Sequence, residues 1–154
     1  MKKFGKVLIS VLILIALFHA AIYVVNNHIA KQLESQLLNC PLPPNSEIVD
    51  SVSVAGKIEG NGNGMQWFGI ILIKSEMNED DLSQWYSSHM DTDEADEIYV
   101  IRQKSPEVFE YENYRFNNFS GEDLCYQIQL FRDSAVGTEL SIWESLLNFD
   151  LRGH

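Results

Sequence analysis

The chain has 154 residues, hydrophobic side chains at 45% of its positions, and a formal net charge of −11. Residues 1–30 hold three lysines and no acidic residue, whereas residues 31–154 carry a net charge of −14 from eight basic and 22 acidic side chains. Such an acidic part should be repelled by nucleic acid and by anionic lipid, so we expect no nucleic-acid partner. The chain beyond the N-terminal region is long enough for one small domain with a single core.

An uncharged apolar stretch near the N-terminus, residues 7–25, dominates the organisation of the chain. It reads VLISVLILIALFHAAIYVV and contains one imidazole ring, that of His19. At about 1.5 Å per residue, a helix of this length rises roughly 28 Å, close to the ~30 Å hydrocarbon core of a bilayer. The rival interpretation is a cleaved signal peptide, which requires a small residue at the third position before the cleavage site. Cleavage after Ala20 would place Phe18 at that position, and cleavage after Ala21 would place His19 there. We therefore predict a transmembrane helix over residues 7–25.

The basic residues around this stretch predict its orientation. Lys2, Lys3 and Lys6 precede it, and the next basic residue is Lys31. Because positively charged flanks stay on the cytoplasmic side, we expect residues 1–6 to be a cytoplasmic tail and the chain after about residue 26 to be extracytoplasmic. The predicted location is the cell membrane, crossed once.

Residues 26–40 predict a helical extension of the membrane segment. Ile29, Leu33 and Leu37 recur at every fourth position and form one apolar stripe. No glycine interrupts the extension, so we expect an unbroken helix that ends at the proline-rich sequence beginning with Pro41. The stripe either packs on the domain that follows, which is the more common arrangement, or pairs with another copy of the chain.

Residues 41–154 predict an extracytoplasmic domain of the α+β class. A loose hydrophobic alternation followed by an apolar, β-branched run indicates two strands, joined by a turn rich in glycine and asparagine. A helical period follows Asn78, a good helix-capping residue that stands before three acidic residues. Three more strands come after the helix. The predicted strands are Glu47–Ile58, Met65–Lys74, Ile98–Gln103, Tyr114–Phe119 and Leu124–Phe131, and the predicted helix lies within Ser75–Met90.

The order ββαβββ indicates a small antiparallel sheet with one packed helix, placed after the N-terminal transmembrane helix. The segment Thr138–Phe149 has apolar spacing that fits either a strand or a short helix, and we favour a strand. The chain shows no internal repeat and no low-complexity segment.

Two cysteines, Cys40 and Cys125, both lie in the part predicted to be extracytoplasmic, where disulfides can form. A bridge between them would enclose 84 residues, and the chain-entropy model gives about 4–5 kcal/mol of stabilisation for such a loop. Two buried, unbridged thiols are the other interpretation, and the sequence favours neither. A metal site is not indicated, because its ligands would have to be clustered.

The glycine-rich turn is the most conspicuous motif, and its members are Gly60, Asn61, Gly62, Asn63 and Gly64. Consecutive backbone amides in such a turn can form a nest for an anion, which makes it a weak candidate ligand loop. However, the spacing G-x-G-x-G followed by a strand matches neither a Walker loop nor a dinucleotide-binding fingerprint. A hairpin turn is the favoured interpretation.

The acidic residues 91–97 suggest a calcium loop, but a loop starting at Asp91 would place Ala95 at position five and Arg102 at position twelve. A solvated acidic loop fits better. The four histidines lack metal-ligand spacing, no Gly-x-Ser-x-Gly elbow occurs, and Cys125 has no adjacent base. We expect no catalytic residue, no metal site and no cofactor.

One set of motifs resembles a known group. The run Pro43 to Ser51, the sequence Val54 to Lys57, the Gly60–Gly64 turn and the tail Asp150 to His154 resemble small single-span membrane proteins of Gram-positive, clostridial-type bacteria. These proteins share an N-terminal anchor and a Gly-Asn-Gly-Asn-Gly hairpin. The resemblance implies a Gram-positive envelope location and brings no activity or functional residues with it.

These features together predict a membrane-anchored extracytoplasmic binding or interaction module, for example an accessory subunit of an envelope complex. The alternative is a ligand sensor or enzyme that uses the Gly60–Gly64 loop and nearby carboxylates. The expected partners are the lipid bilayer through residues 7–25 and a protein at the membrane. Self-association through His19 and the Ile29–Leu37 stripe is a further hypothesis.

Overall fold

Two helices and four strands make up the part of the chain that the structure, a computed structural model, describes: residues 2–56, 58, 65–94, 96–109, 114–121 and 124–133. The predicted α+β class is confirmed, with a long apolar N-terminal helix, an antiparallel sheet and a second helix. The elements are α1 (Lys2–Asn39), β1 (Glu47–Gly56), β2 (Gln66–Lys74), α2 (Glu79–His89), β3 (Asp96–Gln103) and β4 (Cys125–Asp133).

The four strands form one antiparallel sheet in the order β1-β2-β4-β3. Strand β2 lies inside the sheet, and its residues from Ile70 to Ile73 are fully buried. A strand covered on both faces needs apolar side chains at consecutive positions, which explains the unbroken hydrophobic run in the sequence. Helices α1 and α2 cover one face, here called the helix face. Side chains from residues 108–109 and 114–119 pack against the other, here called the loop face.

The prediction of a strand at Tyr114–Phe119 was wrong. This segment contributes only one isolated bridge, between Glu107 and Arg115. Its apolar side chains suggested a strand, but Phe116 is buried on the loop face beside Val108. The apolar side chains of this segment instead hold an irregular stretch of chain against the loop face of the sheet. The predicted turn at 60–64 and the strand favoured at 138–149 lie outside the described residues.

Helix α1 runs unbroken from Lys2 to Asn39, as predicted. Its 38 residues correspond to a rise of about 57 Å at 1.5 Å per residue. In residues 7–25 the large hydrophobic side chains that are exposed have 45% to 65% of their surface open. The segment from Phe4 onward is long and apolar enough to cross a membrane, and its most apolar window is not buried within the protein.

From Asn26 onward, one side of α1 becomes part of the domain core. Leu33 and Leu37 are buried against Ile71 and Ile73 of β2 on the helix face. The prediction that the apolar stripe packs on the domain is therefore confirmed. The helix ends where the amide of Cys40 donates to the carbonyls of Gln36 and Leu37 at 3.1 and 3.2 Å, immediately before the prolines.

The contact between α1 and β2 is a backbone-to-backbone contact at Gly69. A Cβ atom added to Gly69 would lie 2.1 Å from the Glu34 amide nitrogen and 2.2 Å from the Leu33 carbonyl carbon. Only glycine leaves room for the helix to approach this closely. Glu34 is 2% exposed at this crossing, and its carboxylate accepts from Ser51 Oγ at 2.6 Å and from Lys31 Nζ at 2.5 Å.

We expect Gly69→Ala to weaken the docking of α1 on the sheet. The atoms that a methyl group would meet belong to helix backbone, which cannot turn aside, so the cost should reach or exceed the ~1–3 kcal/mol typical of overpacking. The measurement is urea unfolding of the full chain in detergent, followed by tryptophan fluorescence.

Gly5→Ala is the matched control, because nothing lies within 4 Å of a Cβ atom at Gly5. The Gly5→Ala chain should unfold at the same urea concentration as the parent or at a slightly higher one, since alanine is favoured over glycine within a helix by ~1 kcal/mol. Equal unfolding of the parent and Gly69→Ala would contradict the close contact.

Candidate functional site

A cavity lies at the end of the sheet where β1 begins and β2 ends. Its volume is about 590 Å³, within the range usual for small-molecule sites. It is an open cleft, here called the far cleft, and its walls carry polar side chains and one leucine. The lining residues are Asn45, Ser46, Glu47, Lys74, Ser75, Glu76 and Leu124.

Local sequence explains how the first wall of the far cleft forms. The prolines that end α1 lead into Asn45, whose φ of 55° is left-handed. Asparagine tolerates this conformation better than most residues, and the chain turns there into β1. Glu47 then opens the β1–β2 ladder as the register partner of Lys74, so opposite charges stand side by side at the cleft.

Ser75 organises the floor of the far cleft. Its amide donates to the Leu124 carbonyl at 3.1 Å, which ties the end of β2 to the start of β4. Its buried hydroxyl accepts from Ser46 Oγ at 2.8 Å and from the Met77 amide at 3.2 Å. Three chain segments are thereby joined at one residue.

The far cleft holds two carboxylates, from Glu47 and Glu76, and one ammonium group, from Lys74. Sequence reasoning missed it because its lining comes from three segments that only the strand order brings together. The two hydroxyls and the amide supply neutral hydrogen-bonding groups. The arrangement can therefore bind a small polar ligand.

A smaller open pocket lies beside the first turn of α2. Its volume is about 290 Å³, and Asn78, Glu79, Asp80, Arg102 and Tyr126 line it. Asn78 caps the helix, as predicted, because its Oδ1 accepts from the Asp81 amide at 2.9 Å. The capping role accounts for the placement of Asn78.

The predicted ligand loop at Gly60–Gly64 lies outside the described residues. The strands that it connects, β1 and β2, are antiparallel, and their ends meet where Gly56 pairs with Gln66. That end of the sheet is beside Asn26, because the Oδ1 of Asn26 accepts from Trp67 Nε1 at 3.2 Å. The far cleft is at the opposite end, roughly 30 Å along the strands at 3.3 Å per residue.

The two cysteines both carry thiols and lie on opposite faces of the sheet. Cys40 belongs to the core of the helix face, and Cys125 belongs to the core of the loop face. This placement favours the interpretation as two buried thiols, which stays a prediction. Burial raises the pKa of the Cys40 thiol above its ordinary value, which disfavours the reactive thiolate.

We expect native protein to react slowly with a maleimide at neutral pH, because both thiols are buried and Cys40 stays protonated. After denaturation without reductant, two thiols per chain should react, as counted by intact mass. A denatured chain that reacts only after reduction would instead establish a disulfide.

The acidic stretch contributes a structural ion-pair cluster. Arg132 forms a fork on Asp96, with Nε to Oδ1 at 2.5 Å and Nη2 to Oδ2 at 2.8 Å, and its Nη2 also lies 2.7 Å from Asp93 Oδ2. The hydrogen bonds to Asp96 are the main reason that the pKa of Arg132 is raised. Because the Asp96 side chain is fully buried, the prediction of a wholly solvated acidic loop was wrong at this residue.

Two of the histidines, His19 and His89, contact residues of their own helices. His19 Nδ1 lies 2.8 Å from the Ile15 carbonyl oxygen, one helical turn earlier. The His89 ring stacks on Trp85 with 4.0 Å between centroids, at the end of α2. Within residues 2–56, 58, 65–94, 96–109, 114–121 and 124–133, no group of three or more histidine, cysteine or acidic residues could hold a metal ion.

Tyr86 is fully buried between α2 and the sheet, and its hydroxyl has no hydrogen-bond partner in the part of the chain that the structure describes. Burial is the main cause that raises the pKa of Tyr86 well above its ordinary value, with the neighbouring Cys40 as a second cause. The folded state therefore holds this phenol neutral.

We expect Tyr86→Phe to be neutral or to stabilise the fold by up to ~1–3 kcal/mol, because an unpaired buried hydroxyl is removed. A raised pKa also means that the unfolded chain ionises first. In the parent, the free energy of unfolding should be independent of this phenol below about pH 10, the pKa of tyrosine in the unfolded chain. Above that pH it should decline. Chemical unfolding between pH 7 and 11 measures both effects.

The alkaline decline should be smaller in Tyr86→Phe than in the parent. The matched control is Tyr99→Phe, since Tyr99 is half-exposed and its hydroxyl donates to Glu97. A large loss of stability in Tyr86→Phe at neutral pH would show that the hydroxyl is paired.

Comparison of the chain with protein-family models, with curated proteins and with solved structures finds no match. The function of the chain therefore has to be inferred from its own geometry and charge.

Proposed function

We propose that this protein is a single-pass membrane protein that displays an acidic binding or interaction module on the outer face of the cell membrane. One observation carries the proposal: α1 is a single helix that is apolar and exposed in its first half and is part of a domain core in its second half. Apolar side chains exposed all around one helix are favourable in the hydrocarbon core of a bilayer and unfavourable in water.

The geometry supports a domain held directly at the bilayer surface. Val25 is the last residue of the apolar segment, and the next residue, Asn26, is already buried against the domain. Trp67 lies at this level, and tryptophan favours the membrane–water interface. No flexible linker separates membrane and domain, so the sheet should hold one orientation relative to the membrane.

In this orientation the far cleft points away from the bilayer. Helix α1 continues for 13 residues beyond Asn26, to Asn39, a rise of about 20 Å, before the chain turns towards Asn45 and the cleft. The three leading lysines support a cytoplasmic N-terminus. The acidic domain would then lie outside, and the sequence resemblance implies the envelope of a Gram-positive cell.

The alternative function, a sensor or enzyme that uses the Gly60–Gly64 loop with nearby carboxylates, has less support. The carboxylates of the far cleft, Glu47 and Glu76, lie at the end of β1 and β2 opposite the pair Gly56 and Gln66. Self-association through the extension also has less support, because Leu33 and Leu37 are already buried within the chain. The exposed segment 7–25, which includes His19, remains available for it.

Thiol labelling of intact cells tests the topology. In a background with both native cysteines changed to alanine, Ser87→Cys places a thiol on the exposed surface of α2, and Phe4→Cys places one before the apolar segment. A membrane-impermeant maleimide should label the Ser87→Cys chain in intact cells and the Phe4→Cys chain only after permeabilisation. The reverse pattern would contradict the proposed orientation.

Crosslinking in intact cells, followed by purification of the full chain, tests the interaction role. Proteins that depend on the domain should be recovered with the parent and with Gly5→Ala, and lost with Gly69→Ala, after correction for the amount of each variant. Recovery of the same proteins with all three chains would place the interaction in the membrane segment instead.

A further inference from the structure

We infer that the far cleft binds a small organic molecule through a primary ammonium group. The inference rests on the proposed function, because it names the ligand class of the binding module. It is carried by the composition of the cleft, by its fixed floor and by the charge of the domain around it.

Charge selects the sign of the ligand. Glu47 and Glu76 supply two carboxylates and Lys74 supplies one ammonium group, so the described lining residues carry one negative charge in excess. The chain from residue 31 onward carries a net charge of −14. A negatively charged surface with low-dielectric walls attracts cations and repels anions, so a carboxylate or phosphate ligand is disfavoured.

Hydrogen bonding selects an ammonium group over a metal ion. An ammonium group donates three hydrogen bonds, and the cleft offers as acceptors the carboxylate oxygens of Glu47 and Glu76 and the hydroxyl oxygen of Ser46, which donates to Ser75. Calcium needs six to eight oxygen ligands, whereas the described residues contain no group of three or more acidic, histidine or cysteine side chains that could hold a metal ion. Lys74 already places one primary ammonium group in these surroundings, beside Glu47 in the strand register.

The shape of the cleft selects a small organic ligand. Its volume of about 590 Å³ accommodates a molecule of amino-acid to short-peptide size. Leu124, 45% exposed, provides an apolar wall for the alkyl part of such a ligand.

The floor of the cleft is arranged before any ligand arrives. The hydrogen bonds from Ser46 to Ser75 and from the Met77 amide to Ser75 hold the segments around the cleft in place. The left-handed backbone at Asn45 sets the direction in which the chain enters β1. A site that needs no rearrangement retains more of its interaction energy as affinity.

The experiment is calorimetric titration of the full chain in nanodiscs of phosphatidylcholine, which has no net charge and does not attract amines. Two ammonium probes represent two sources: putrescine for free polyamines, and alaninamide for the amino terminus of a peptide. Each has a neutral analogue of similar shape, 1,4-butanediol and N-acetylalaninamide. We expect saturable binding of at least one ammonium probe with a Kd below about 1 mM, weakened by added salt, and no binding of either analogue.

Variants of the cleft should move the affinity in opposite directions. Glu47→Gln and Glu76→Gln should each weaken binding roughly tenfold, the usual effect of losing a charged hydrogen bond. Lys74→Met should strengthen it about fivefold, because a like charge is removed. Glu97→Gln is the matched control: it removes the same charge at the opposite end of the sheet and should leave the affinity within about twofold.

Three outcomes would overturn the inference: no binding of either ammonium probe at about 10 mM, equal binding of a neutral analogue, or binding of Ca²⁺ in place of the amines. Loss of affinity in Lys74→Met would also contradict it. None of these results would alter the labelling pattern that tests the membrane topology, so failure of the ligand class and failure of the proposed function can be told apart.

Discussion

The crossing of α1 over β2 at Gly69 is the constraint on which the rest of the structure depends. The backbone of α1 occupies the space that a Cβ atom at Gly69 would need. The helix therefore lies closer to β2 than it could if residue 69 had a side chain. Leu33 and Leu37 can then reach Ile71 and Ile73 and close the core of the helix face. Because the same helix carries the exposed apolar segment, this crossing would also fix how the domain stands relative to the membrane in the proposed arrangement.

Polar contacts specify the position of the seated helix along the strand. Glu34 is buried beside the crossing and accepts from Ser51, and Asn26 accepts from Trp67 two turns earlier. A buried carboxylate is tolerated only when hydrogen bonds compensate for its lost hydration, and a shift of α1 along β2 would remove the bond from Ser51 and leave only the pairing with Lys31 of the same helix. The helix therefore has one favourable register on the sheet.

The sheet keeps several polar and reactive features of the chain apart. Cys40 and Cys125 lie on opposite faces, the far cleft lies at one end, and the fork between Arg132 and Asp96 closes the other end. In the proposed orientation the end with the fork lies towards the membrane and the far cleft lies away from it. Ligand recognition would then occur at the surface most open to the outside.

Local chemistry made part of this structure predictable from sequence. The uncharged run at 7–25, the prolines after Asn39 and the cap at Asn78 act on their immediate neighbours, so their effects do not depend on distant residues. Hydrophobic patterning likewise indicated the α+β class and the strand predicted at Met65–Lys74, which is β2. Tertiary structure alone decided the strand order, the role of Gly69 and the covering segment mistaken for a strand at 114–119. It also decided the far cleft, because the contact between Ser75 and Leu124 depends on β4 becoming the neighbour of β2, and no local pattern encodes that choice.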